Sequence, residues 1–199
     1  MQGQNSGGFT LVELVVVLAL FMLIISATVS IFITVVQHQK RILSQQEMLN
    51  QVSYAKEYMS RSMRSAVRDY AGNCLNDGQS THPGSVYLLT HYNAIAGLYQ
   101  GIKYITKDNV CQEFFLDTDD GTLKEKQDAL EALSITSDAF TINSLAFIIN
   151  GDASLALASS TDGRQPRVSI LLRVKALPFL SLQDQVFQTT VSQRNLNLP

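Results

Sequence analysis

An uninterrupted apolar segment near the N-terminus is the strongest feature of the hydrophobic pattern. Residues 14–36 read LVVVLALFMLIISATVSIFITVV and contain no charged residue and no proline. As a helix rising about 1.5 Å per residue, the segment extends roughly 35 Å, more than the hydrocarbon core of a bilayer, about 30 Å. It is apolar on every face, which disfavours the alternative of a buried helix in a soluble core. The pattern predicts a membrane-spanning helix.

The segment is not typical of a secretory signal that is removed after export. Such signals have a shorter apolar stretch, a basic leading segment and a small-residue cleavage site behind it. Here the apolar run is longer, and no such site follows in residues 37–43. We therefore expect the helix to remain in the mature protein.

Apolar residues continue at helical spacing beyond residue 36. Their steps of three, four or seven predict one apolar stripe, formed by Ile42, Leu49, Val52, Met59, Met63, Ala66 and Tyr70. The pair Gly72-Asn73 provides a helix stop. The sequence thus predicts one helix of about 60 residues, with a membrane-spanning part over 9–36 and an amphipathic continuation over 37–72.

The pattern changes after residue 73 to short segments of period two. Asn76-Asp77-Gly78 and His82-Pro83-Gly84 mark loops. Strands are predicted at 102–106, 111–116, 122–126, 141–150, 168–176 and 186–191, with a helical turn at 129–133. Short, glycine-containing separations favour hairpins over crossover helices. The predicted fold class is α+β: a long N-terminal helix packed on an antiparallel β-sheet head over 73–199.

Composition excludes several classes of protein. The chain has a formal charge of -2 and only 16% charged residues, which argues against a general nucleic-acid coat or an acidic tail protein. His38, His82 and His91 lie far apart, and the two cysteines lack CxxC spacing, so no metal site is predicted. No nucleophile and base have a spacing typical of catalysis. We expect no enzyme activity, no cofactor and no specific nucleic-acid partner.

The residues before the apolar helix carry a recognisable motif. Gly8-Phe9-Thr10-Leu11-Val12-Glu13 places a glycine before a bulky apolar residue and a lone carboxylate at the start of the apolar run. This resembles the cleavage and methylation motif of type IV prepilins and type II secretion pseudopilins. The resemblance implies that a prepilin peptidase cuts after Gly8, that residues 1–8 are a leader, and that Phe9 is then N-methylated. It also implies that Glu13 serves in assembly and that 9–36 forms the core of a filament.

Each residue of the motif has a physical reason. Gly8 lacks a side chain, so its backbone can enter a protease site closely. Glu13 would cost about 2.5–3.5 kcal/mol at the centre of a membrane helix, but in the first turn the helix dipole favours an anion. Cleavage creates an ammonium group on Phe9, four residues before Glu13, which the carboxylate could neutralise within one subunit or between neighbours. The alternative is an interfacial acid beside a plain membrane anchor.

Orientation is indicated in opposite ways by charge and by the motif. Residues 1–8 contain no Lys or Arg, and the first basic pair, Lys40-Arg41, lies beyond the helix. The positive-inside rule would place that pair in the cytoplasm, whereas the resemblance places the leader there. We follow the resemblance and expect a single pass through the inner membrane, with the head in the periplasm or outside the cell.

Other polar positions allow two interpretations each. Ser26, Ser30 and Thr34 could help helices to pack closely or could bond to carbonyls of their own helix. Residues 117–121, Asp-Thr-Asp-Asp-Gly, could bind calcium, but the EF-hand spacing fails and an Asp-Gly hairpin turn is favoured. Arg61, Arg64 and Arg68 form a basic ridge that could bind a subunit or DNA. Because Glu57 precedes Arg61 by four residues, an ordinary solvated surface is favoured.

The two cysteines, Cys74 and Cys111, would lie in an oxidising compartment if the head is exported, so we expect a disulfide between them. Segments 145–147, 165–168 and 188–191 also resemble the heads of minor pilins and pseudopilins. Major pilins often pair cysteines near the C-terminus, which this chain does not. The resemblance therefore implies a minor pilin or pseudopilin that assembles through its N-terminal helix.

The implied partners follow from that role. They are the prepilin peptidase and methylase, other pilin or pseudopilin subunits, an inner-membrane assembly platform, and membrane lipid before assembly. A different class of function is a signal-anchored periplasmic binding protein that never enters a filament. Loss of residues 1–8 with methylation of Phe9 distinguishes the two.

Overall fold

A computed structural model describes Gly8 and residues 10–78, 80–137, 140–151, 165–176 and 184–194. Its first element is helix α1, Leu11–Arg64. The described strands are β1 Ala66–Val67, β2 Tyr87–Asn93, β3 Leu98–Thr106, β4 Cys111–Asp117, β5 Thr122–Gln127, β6 Leu133–Ser134, β7 Phe140–Asn150, β8 Arg167–Ala176 and β9 Gln185–Ser192. The chain divides into two compact units, Met1–Leu43 and Ser44–Pro199, which we call the stem and the head.

The stem is the N-terminal part of α1. None of its most apolar 18-residue window is buried within the chain, and by length and composition the helix could cross a membrane. The hydroxyl of Ser26 donates to the carbonyl of Met22 at 2.8 Å, and that of Thr34 to the carbonyl of Ser30 at 3.0 Å. These two hydroxyls therefore form hydrogen bonds within their own helix, which was the second of the two interpretations given for them.

The C-terminal part of α1 packs into the head through one apolar face. Its buried apolar residues are Met48, Val52, Ala55, Met59 and Met63, whose spacing of three or four matches one side of a helix. The predicted stripe was wrong at Ile42, Leu49 and Tyr70, which are 52%, 38% and 77% exposed. Met48 and Ala55 are buried instead, because they belong to the apolar core that the helix shares with the sheets.

The predicted helix end at residue 72 is wrong, because α1 ends at Arg64. The N–H of Ser65 donates to the carbonyl of Ser62 at 3.0 Å, which tightens the last turn. The next residues form β1, which pairs with Ile105 and Thr106 of β3. Ala66 is thus buried as a strand residue rather than as part of a helical stripe.

All strand pairs are antiparallel, and the predicted α+β architecture is confirmed. One sheet has the order β1-β3-β4-β5-β6, with β2 also paired to β3, and the other has the order β7-β8-β9. Each of the six predicted strands is present and slightly longer than expected. The predicted helical turn at 129–133 is wrong: residues 128–130 form a turn and Leu133–Ser134 is β6.

A buried chain of polar groups joins the helix to the larger sheet. The Tyr58 hydroxyl donates to the carboxylate of Glu125 at 2.9 Å, and the Gln112 amide donates to the same carboxylate. The Ser62 hydroxyl donates to Gln112 at 2.7 Å, and the Tyr104 hydroxyl donates to Ser62 at 2.7 Å. Burial and the neighbouring Glu125 raise the pKa of Tyr58 to about 12. These directional bonds specify how the helix is seated on the sheet.

The segment after β1 is held by a buried carboxylate and a disulfide. The backbone N–H groups of Gly72, Cys74 and Leu75 each donate to the Asp69 carboxylate at 2.8 Å. Burial opposes ionisation of Asp69, but these N–H groups outweigh it and hold the pKa of the carboxyl below its usual value. Cys74 is joined to Cys111 at the start of β4, with 5.5 Å between their Cα atoms.

The acidic residues at 117–121 form the hairpin turn between β4 and β5, as the turn interpretation predicted. Asp117 pairs with Thr122 in the antiparallel ladder, and Gly121 has a positive φ of 67°. The ammonium of Lys124 binds the carboxylates of both Asp117 and Asp120. Two of the three acids are therefore occupied by a lysine of the same hairpin.

Candidate processing and assembly site at the N-terminus

Gly8 is exposed, and its surroundings are open. A Cβ placed on this residue would have no other atom within 4 Å. Nothing in the folded chain therefore requires a glycine at this position for space. The residues before it and Phe9 lie outside the described residues.

The start of α1 is set by Thr10. The backbone N–H of Glu13 donates to the Thr10 hydroxyl at 3.3 Å, and the N–H of Leu14 donates to the Thr10 carbonyl at 3.2 Å. Thr10 is thus the N-cap of the helix, and Glu13 is its third residue. Threonine followed three residues later by glutamate is the capping-box signature, so this role was readable in the sequence, although our sequence interpretation missed it.

The Glu13 side chain lies in an apolar environment that nothing in the described chain covers. Its neighbours Leu11, Val12 and Leu14 are 78%, 70% and 59% exposed, and Glu13 is itself exposed. The first-turn position places the carboxylate where the helix dipole favours negative charge. When lipid or other helices cover the apolar neighbours, the carboxylate is desolvated unless a cation reaches it.

The apolar surface of the stem continues along the whole helix. Large exposed side chains occur on every side of it, including Phe21, Leu23, Ile31 and Phe32, each more than half exposed. Contiguous apolar surface of this extent marks contact with a membrane or another protein. This helix therefore needs a cover that the single chain does not provide in its described part.

The predicted basic ridge does not persist as one surface. Arg61 lies 3.5 Å from Glu57, and both side chains are exposed. Arg68 lies beyond the helix end, and its guanidinium donates to the carbonyl of Gly84. Only Arg61 and Arg64 remain on the helix, in its last turn.

Comparison with known families places the motif in a defined class. Residues 3–29 match the prokaryotic N-terminal methylation motif, which is the prepilin-type motif of type IV pilins and pseudopilins. The match covers the site just described and the first part of the apolar helix, and it does not extend into the head. No curated protein and no solved structure matched the chain. The N-terminus is thus that of a pilin-like substrate of prepilin peptidase.

Proposed function

We propose that this chain is a structural subunit, a minor pilin or pseudopilin, of a type IV pilus or a type II secretion filament. One observation carries the proposal: the methylation motif at 3–29 leads directly into an apolar helix with an unburied surface. A subunit that moves from lipid into a helical bundle needs both features. It needs a processed N-terminus and a helix that is apolar on all sides.

Processing begins with hydrolysis of the peptide bond between Gly8 and Phe9 by prepilin peptidase. The leader, residues 1–8, leaves with the new carboxylate on Gly8, and Phe9 keeps the new amino group. The methylase then transfers a methyl group from its own methyl donor to that nitrogen, which loses a proton. The open surroundings of Gly8 support cleavage, because a protease must approach the backbone closely at this residue.

Assembly follows from the energetics of the stem. Before assembly the helix spans the inner membrane once, with the head in the periplasm, and lipid covers its apolar side chains. Transfer to a filament core replaces lipid by other helices, so apolar surface stays out of water in both states. The assembly platform therefore moves the helix between two states that differ little in apolar burial. Polar groups can then decide which of the two states is favoured.

We infer that Glu13 is the polar group that determines whether a subunit enters the filament. Glu13 lies in the first turn of α1, and cleavage after Gly8 would create the new N-terminus four residues before it. An ammonium group on Phe9, of the same subunit or of a neighbour, would neutralise the carboxylate when water is excluded. A subunit with this pair formed enters the bundle without an isolated buried charge.

Intact-mass analysis tests the proposal. The full chain is co-expressed with a competent prepilin peptidase, purified from membranes and weighed. We expect loss of residues 1–8 and one added methyl group on Phe9. An uncut chain would contradict the proposal and favour a signal-anchored binding protein.

A further inference from the structure

A basic groove lies on the head between the end of α1 and strand β9. It has a volume of 680 Å³, and it is lined mainly by Arg61, Arg64, Arg194, Thr190 and Ser192. The backbone N–H of Arg194 donates to the carbonyl of Arg64 at 3.0 Å, which joins the two sides of the groove. We call this surface the arginine groove.

The arginine groove carries positive charge that the described residues do not neutralise. Its acidic member is Glu57, which lies 3.5 Å from Arg61 in an exposed pair of little energetic weight. Arg64 and Arg194 form no ion pair within the described part of the chain. Two guanidinium groups with hydroxyls beside them suit carboxylate or phosphate oxygens.

The chain also carries an acidic surface at the turn between β4 and β5. We call Asp117, Asp119 and Asp120 the acidic turn. Lys124 binds the first and the third of them, so three carboxylates share one cation. Asp119 is exposed, and it has no ion pair among the described residues.

The two surfaces lie at opposite ends of the head. The acidic turn precedes Thr122, and the next residue, Leu123, bonds to Ile135 and Thr136 of the loop whose Ser137 hydroxyl donates to Gln51 of α1 at 2.8 Å. The arginine groove lies beside Arg64, thirteen residues further along the same helix, which corresponds to about 20 Å. The acidic turn of a chain therefore cannot occupy its own arginine groove.

We propose that the acidic turn of one copy binds in the arginine groove of the next copy. The inference rests on the proposed function, because it supplies a contact between the heads of filament subunits. A contact between two different surfaces is head-to-tail, so it can repeat from copy to copy without closing. A short acidic loop suits the groove better than a polyphosphate chain, since Glu57 lines the groove and the whole chain has a charge of -2.

Cysteine cross-linking in membranes tests the contact on the full chain. The two native cysteines are paired with each other, so an introduced cysteine supplies the free thiol. One tagged copy carries Ser192→Cys in the groove, and a second, differently tagged copy carries Thr118→Cys in the acidic turn. Both substitutions leave every charge in place, and we expect an inter-copy disulfide on mild oxidation.

Ile95→Cys is the matched control for the acidic turn. Ile95 is fully exposed in the turn between β2 and β3, and it carries no charge. The strand register places this turn at the same end of the larger sheet as the acidic turn. Cross-linking of Thr118→Cys no greater than that of Ile95→Cys would overturn the proposal.

Charge exchange supplies a second measurement. Adding Arg64→Glu to both cysteine copies should reduce the cross-link several-fold, and so should adding Asp119→Arg. Both changes together should restore it, because the charges at positions 64 and 119 are then exchanged in every copy. High salt should weaken the unaltered contact by screening. Two results together would overturn the proposal in favour of a polyanion site. The double change would fail to restore cross-linking, and a labelled oligonucleotide would bind only to chains that keep Arg64.

The same membranes also separate this inference from the proposed function. Intact mass reports removal of residues 1–8, and the cross-link reports the contact between heads. Normal processing without the cross-link defeats the inference alone. A normal cross-link on an uncut chain defeats the proposed processing and leaves the contact standing.

Discussion

The backbone N–H of Glu13 donates to the hydroxyl of Thr10 at 3.3 Å, so the threonine caps the helix that the glutamate enters. This bond uses the main chain of Glu13 and leaves its carboxylate exposed. Within the described residues the carboxylate forms no ion pair. Helix capping and charge neutralisation can therefore be tested at separate residues.

Glu13→Gln should be inserted and cleaved normally but should enter filaments poorly. The amide keeps the size of the side chain and removes the charge that neutralises the Phe9 ammonium. Removing one partner of a buried ion pair costs about 3–5 kcal/mol, and interfacial water reduces this cost. Incorporation is measured on sheared and purified filaments.

Thr10→Ala is the control for Glu13→Gln. It removes the cap at a cost of about 1 kcal/mol of helix stability and leaves the carboxylate in place. We expect it to change incorporation less than Glu13→Gln does. Incorporation of Glu13→Gln equal to that of the parent chain would leave Glu13 as a simple interfacial acid.

Gly8→Leu should keep the leader attached. A branched side chain beside the scissile bond blocks close approach of the backbone to the peptidase, although the folded chain has space for it. Gly3→Leu, which lies away from the bond, should be cleaved like the parent chain. Mass analysis after co-expression with the peptidase reports both results, and normal cleavage of Gly8→Leu would remove Gly8 from the site.

The disulfide between Cys74 and Cys111 should be present in protein recovered from the cell envelope. Its cysteines are 37 residues apart, and closing a loop of that length stabilises a fold by about 3–4 kcal/mol in the chain-entropy model. Replacing both cysteines by serine should lower the free energy of unfolding in urea by that amount. Alkylation without reductant gives the direct check, since two free thiols would refute the prediction.

Asp69→Asn should destabilise the head at neutral pH by about 1.5–3 kcal/mol, because three backbone N–H groups lose a charged acceptor. The folded-state pKa of Asp69 lies below its unfolded value. Its contribution is therefore complete above the unfolded pKa, about 3.9, and is lost as the pH falls through the folded pKa. The stabilities of the two proteins should converge in acid below about pH 4.

Urea unfolding of the full chain in detergent measures the Asp69 effect. Tyrosine fluorescence is the suitable signal, since the chain has seven tyrosines and no tryptophan. Asp108→Asn, in the exposed turn after β3, is the control and should leave stability unchanged at every pH. A destabilisation by Asp69→Asn that persists unchanged in acid would show that the charge of Asp69 is not its cause.

The apolar helix, the motif at its start and most of the strands could be predicted from the sequence because their signals are local. An apolar run of 14–36 needs no knowledge of the rest of the chain to be recognised. Period-two segments between turn residues likewise indicate strands one at a time. The helix cap formed by Thr10 and Glu13 was also a local signal, which our sequence interpretation missed.

The end of the helix depended on distant residues. Ala66 continues the helical spacing of apolar residues, and the sequence therefore extended α1 to residue 72. In the structure Ala66 and Val67 pair with β3, about forty residues later in the chain. Pairing with that strand and burial of Ala66 therefore outweigh the local helical pattern.

What the sequence by itself determined is the prepilin-type motif at the N-terminus, the apolar stem and the α+β plan of the head. Only the tertiary structure decided which distant groups meet: Ala66 and Val67 with β3, Tyr58 with Glu125, and Arg64 with Arg194. The physical reason is the separation along the sequence over which each kind of interaction acts. Periodicity and capping act within a few residues of the chain, whereas these contacts exist only after strands far apart in sequence have paired.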